Sequence, residues 1–123
     1  ARAPNGVRLL SEATVELMGE NHIGAVRVEL QPTANPAVSQ PFPLGAGRDT
    51  FGLGFQVTGD HDEPFARSPG SLAWAGIFHT EFWIDPARGV GGILLMQYLP
   101  FYDAAAIETL QGFERRVYQG LAN

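Results

Sequence analysis

Two stretches of the chain carry a helical stripe, several carry strand-like apolar runs, and two long stretches have no period at all. Ser11 is a good N-cap for a helix over about 11–21. Leu10 and Val15 are placed for a hydrophobic staple, Glu12 complements the helix dipole, and Leu17 and Met18 extend the stripe. Gly19 and Gly24 are candidate stops. Near the other end, Asp103 caps a helix over about 103–120, with Ile107, Leu110, Val117 and Leu121 on one stripe and Gly120 at its end. Between these, Val26, Val28 and Leu30 alternate with Arg27 and Glu29, the pattern of a short half-buried strand.

Residues 31–50 carry four prolines followed by Gly45 and Gly47, and read as a long loop of the kind that borders sites. "FGLGFQVT", 51–58, reads as a strand whose alternate glycines, Gly52 and Gly54, allow another group to come close. Residues 59–70 form an acidic turn region. Strands over 74–84 and 90–99 then pair around "DPARG", where Pro86 presets φ and Gly89 supplies the left-handed residue of a bulged hairpin. Their runs are apolar on both faces: Phe78, Phe82 and Ile84 on one side, Ile77 and Trp83 on the other. A strand of that kind expects cover on both sides. The expected class is α+β, an antiparallel sheet flanked by helices, with three strands too few to complete it.

At 123 residues the chain suits one domain, one that buries about 65% of the surface its unfolded form exposes. A net charge of −5 and eight scattered arginines argue against nucleic acid as a partner. The chain contains no lysine and no cysteine, which removes thiolate chemistry and leaves the compartment, cytoplasm or periplasm, open. No apolar run approaches the roughly 20 residues of a membrane span. The start, "ARAPNGVRLL", has neither an initiating Met nor a secretory apolar core, and so reads as the interior of something longer.

Self-sufficient catalytic sets are missing. The chain has no Gly-x-Ser-x-Gly elbow and no phosphate-cradling glycine pattern. Seven or more strand residues separate Ser71 from His79, which breaks a triad drawn through Asp85. His61 with Asp60, Asp62 and Glu63 reads as a solvated turn, because consecutive loop residues do not converge on one ion. Tyr98, Phe101 and Tyr102 read as aromatic core at a strand-to-helix corner. Trp74-Ala75-Gly76 differs: two small residues after a Trp leave backbone exposed, and an N–H there suits an oxyanion. By pattern alone core packing outweighs that role.

At these residues the chain resembles the C-terminal part of the serine β-lactamase-related family, which comprises class C β-lactamases, penicillin-binding DD-peptidases and family VIII-type esterases. "GVRLLSEATVELM" is similar to the family's "LLSP-TV-LM" helix opening, and "FGLGFQV" to the strand before its third motif. "SLAWAGIFHTEFWIDPARGVGGILLMQ" resembles "GSFGWGGAAGTYFWVDPKEDLVGVFMTQ"-type segments, and "FERRVYQGL" the closing helix.

The resemblance implies a partial β-lactamase/transpeptidase-like fold whose remaining strands and helical region come from an N-terminal portion outside this chain. Members use a Ser-x-x-Lys nucleophile, a Tyr-x-Asn motif and a Lys-Thr-Gly-like strand, and work through an acyl-enzyme. Trp74-Ala75-Gly76 occupies the place of Lys-Thr-Gly, as Trp-Gly-Gly does in esterase-like members. The Ile77 N–H is then one oxyanion donor, with His79 beside the pocket edge. Ser-x-x-Lys and Tyr-x-Asn are both absent, so the expected chain holds no catalytic residue and needs no cofactor or metal. Its expected partners are the N-terminal part of the same enzyme or a complementary chain, and an ester or β-lactam-like molecule in the complete site. Two alternatives remain: a truncated module that self-associates through an open sheet edge, and an unrelated α+β domain with a pocket under the Pro-rich loop.

Overall fold

The computed structural model describes residues 4–122. It is an α+β arrangement: helix α1 (Glu12–Gly19), strands β1 (Thr50–Phe51), β2 (Gln56–Val57), β3 (Leu72–Gly76), β4 (Thr80–Asp85) and β5 (Val90–Leu95), then helix α2 (Ala104–Leu121). The five strands form one antiparallel sheet in sequence order. Its connections are short reversals except the one from β2 to β3, which runs through residues 58–71.

Both helices begin where capping chemistry places them. The Ser11 side chain accepts from Thr14 N, and the Asp103 side chain accepts from Ala105 N and Ala106 N. The turn after β4 also forms as the residues require. Gly89 takes a φ of 64° and Asp85 Oδ1 accepts from Arg88 N at 3.1 Å.

Four extents differ from the sequence pattern, one of them the strand expected over 90–99, which ends at Leu95. The run 51–58 is two short strands joined by a reversal in which Gly52 N donates to Phe55 O. Gly54 adopts a φ of 92°, open only to glycine at low cost, whereas Gly52 fits because a Cβ there would collide with the Met18 carbonyl. The run 74–84 likewise folds back at 77–79, so Trp74 pairs with Phe82 instead of continuing toward it. Residues 77–79 contain no Gly, Pro or Asn, and Gly76, whose carbonyl closes the turn, reads equally well as a glycine within a strand. Residues 26–30 form no strand. Val28 is buried and tied to loop partners, its N–H donating to Asp49 O and its carbonyl accepting from Gly47 N.

The core lies between the sheet and α2. Trp83, Leu110 and Tyr118 are fully buried there against Ala73, Val90, Leu94, Phe113 and Val117. Burying side chains of this size contributes roughly 1.5–3 kcal/mol each. Gly92 lies opposite Trp83 in the register, and a Cβ on it would run into the indole ring, which explains a glycine inside a central pair of strands.

Polar groups pin the core edges. Trp83 Nε1 donates to Tyr118 Oη at 3.1 Å, and Tyr118 Oη donates to Asp85 Oδ2 at 2.9 Å. Ser68 N also donates to Asp85 Oδ2 at 2.9 Å. Arg67 forms a two-pronged ion pair with Glu114 of α2, at 2.9 and 2.5 Å, with its guanidinium over the Trp83 ring. The acidic loop is thereby fastened to the helix.

Both faces of the sheet were expected to be covered, but the second is covered only in part: Leu72, paired with Ile84 on that face, is buried beside Gly19 of α1. Ile84, Ile93 and Leu95 on the same face are exposed, by 44%, 66% and 73%. The apolar pattern of β4 and β5 is thus satisfied by α2 on one side and, on the other, only at Phe82, which packs edge-on to Phe55 at 6.1 Å.

Candidate active-site wall

Strand β2 pairs with β3 only through Gln56↔Ala73 and Val57↔Leu72. Past that point the flank of β3 carrying Trp74, Ala75 and Gly76 has a partner only in β4. The Gly76 carbonyl accepts from His79 N at 2.9 Å, on the β4 side. Successive backbone amides along a strand point to alternate sides, so the Ile77 N–H faces the open flank. It makes no backbone hydrogen bond to a described residue.

A shallow cavity of about 120 Å³ opens at this end of β3, lined by Gln31, Phe42, Trp74, Ala75, Gly76, Ile77 and Phe101. Trp74 packs edge-on to Phe51 at 5.1 Å, and Phe42 stacks on Phe101 at 5.4 Å. None of these lining side chains is charged. A Cβ at Gly76 would meet only ordinary contacts with Thr80, so the glycine leaves space in front of the strand and relieves no clash within the chain.

Trp74, Ala75, Gly76 and Ile77 thus share one surface. His79 is placed differently: it is fully buried, in the left-handed region with a φ of 59°. Its ring lies 5.3 Å from that of Phe101, Nε2 meets Pro100 O at 3.1 Å, and Nδ1 faces Glu81 Oε1 at 3.4 Å. Of the corner aromatics, Phe101 reaches the shallow cavity. Tyr102 packs edge-on to Phe42 at 5.1 Å, and burial beside the Glu81 carboxylate raises its phenol pKa.

A larger cavity of about 240 Å³ lies on the α2 side, with Asp49, Gln56, Glu81, Arg67 and Glu114 on its wall. Most of these groups hold one another. Asp49 accepts from Arg48 Nε at 2.7 Å, Gln56 Nε2 at 2.7 Å and Gly59 N at 3.0 Å. Sequence reasoning missed this buried set because its members are far apart along the chain. Glu81 is pushed upward by desolvation, only partly offset by His79. Asp85 goes the other way: burial would raise it, but donors from Ser68, Tyr118 and Arg88 outweigh that and lower its pKa.

His61 does not gather ligands. Its Nε2 meets Arg67 O at 2.9 Å and its Nδ1 accepts from Glu63 N at 3.2 Å, so both nitrogens serve the loop. Among the described residues no group of three or more His, Asp or Glu is arranged to hold a metal. No helix among them is long and apolar enough to cross a membrane.

No protein-family model matches the sequence, and no curated protein does. A solved structure does: simvastatin synthase (LovD) from Aspergillus terreus, with a TM-score of 0.71 and 26% identity over 89% of this chain. The chain is a C-terminal part of a β-lactamase-related fold. It falls within a serine hydrolase-like superfamily, and it spans 29% of the length of the solved protein it matches.

Proposed function

We propose that this segment is the oxyanion-strand wall of an acyl-transferring serine hydrolase and that it works only with an N-terminal portion that supplies the nucleophile. The observation that carries this is the open flank of β3 at Trp74–Gly76, ending on an Ile77 N–H with no backbone partner among the described residues. A donor in the turn at the end of a strand, next to a cavity, suits the negative oxygen of a tetrahedral intermediate. The exposed face of Ile84, Ile93 and Leu95 gives the remaining part of such an enzyme somewhere to pack. The match to under a third of a longer protein supports the same division.

Within the family's range of acyl substrates, the lining of the shallow cavity favours a neutral ester over a carboxylate-bearing β-lactam. Gln31 is its one polar side chain, and no arginine stands there to receive a carboxylate.

Exposure of the isolated chain to a fluorophosphonate and to a fluorescent penicillin tests the division of labour. No covalent adduct is expected on the chain alone, while its complex with a Ser-x-x-Lys-bearing N-terminal part should label with the fluorophosphonate. An adduct on the isolated chain would overturn the reading. The second reading, self-association, is favoured by the edge of β5, which pairs on one side only. A concentration-dependent dimer in sedimentation would select it, and a monomer would reject it.

A further inference from the structure

The Ile77 side chain is 49% exposed, so its own packing fixes its backbone only weakly. The residue two positions on holds the turn in place. His79 N donates to Gly76 O at 2.9 Å and closes the reversal, while His79 O accepts from Met96 N at 3.2 Å, just past β5. The side chain adds a third tether. A carbonyl can only accept, so at 3.1 Å from Pro100 O it is Nε2 that carries the proton and donates. Nδ1 faces Glu81 Oε1, and Phe101 lies against the ring. His79 therefore ties the turn to β4, to the end of β5 and to the segment before α2. It does so from a φ of 59°, a conformation that non-glycine residues keep only where the surroundings hold them.

We propose that His79 is a positioning residue: its buried imidazole, bonded to the Pro100 carbonyl, fixes the 77–79 turn and so aims the Ile77 N–H along the open flank of β3. The inference rests on the reading of Ile77 as an oxyanion donor. The imidazole itself touches no substrate. Its part is to remove freedom from an amide that must already point at the developing charge.

The test uses the ¹⁵N-labelled chain and three variants, His79→Gln, His79→Ala and His79→Gly. Gln carries an amide N–H at the reach of Nε2 and should keep the Ile77 amide rigid, with an order parameter near about 0.85. In the Ala variant that value is expected to fall below about 0.6. Exchange of the Met96 N–H should rise about five- to tenfold, as loss of one hydrogen bond implies, and should rise more than exchange at Trp83 in the middle of β4. His79→Gly relieves the left-handed backbone and so guards against a variant that fails to fold. It too should loosen Ile77, because it lacks the imidazole. An Ile77 amide as rigid in the Gly variant as in the wild type would overturn the proposal. So would a Gln variant no more rigid than the Gly one. These readouts concern the turn alone, so their failure is distinct from a failure of the labelling experiment.

Discussion

Replacement of Tyr118 by Phe removes one oxygen from the centre of the Trp83–Tyr118–Asp85 chain and leaves the ring in place. Tyr118 and Trp83 are fully buried, so water does not replace the lost partner. The Trp83 Nε1–H, 3.1 Å from that oxygen, is then an orphaned buried donor, which costs about 1–3 kcal/mol. Asp85 loses its bond from Tyr118 but keeps Ser68 N and Arg88 N, so its share of the loss is smaller. The expected total is about 2–4 kcal/mol, read as a drop in urea midpoint at unchanged slope.

The pH dependence of that loss checks the cause. Asp85 has a folded pKa below its unfolded value of about 3.9. The stability it contributes is therefore present above pH 4 and disappears as the pH falls through the folded value. Without the Tyr118 donor the folded value moves up, so the difference between variant and wild type should be larger at pH 7 than at pH 3. A Trp83→Phe, Tyr118→Phe cycle should also show coupling, because removal of both partners leaves no orphan. A loss under about 0.5 kcal/mol, or one independent of pH, would refute the reasoning.

Other substitutions probe separate parts of the fold. Glu81→Gln should stabilise the chain at pH 7 relative to wild type and give less benefit near pH 4. The folded pKa of Glu81 is raised, so wild-type stability falls as pH rises from about 4.3 toward that value; a flat difference in thermal melts between those pH values would reject this. Gly92→Ala should cost about 1–3 kcal/mol by overpacking against Trp83, with a change in tryptophan fluorescence. Glu114→Gln breaks the charge pairing with a largely buried Arg67 and should cost about 1.5–3 kcal/mol. Limited proteolysis should then cut faster within 59–70, and an unchanged cleavage rate would show that the ion pair does not hold the loop.

Much of this protein was legible in its residues because the relevant chemistry is local. Ser11 and Asp103 cap their helices with their own side chains, and Pro86 with Gly89 sets a turn within five positions. The order of four phrases along the chain was enough to indicate the family resemblance, and the absence of lysine was enough to exclude its nucleophile motif from this segment. Tertiary structure decided the rest. Gly76 alone does not distinguish a turn from a strand glycine, and the left-handed backbone of His79 is held by Pro100, Met96 and Phe101, which lie 17 or more positions away in sequence. Tyr118 and Glu114 look like ordinary polar positions of an amphipathic helix until Asp85, Trp83 and Arg67 are brought against them. A cap or a turn is chosen by bonds within a few residues. A buried polar group is tolerated only by partners that folding delivers, so no local window of the sequence shows which polar residues will be inside.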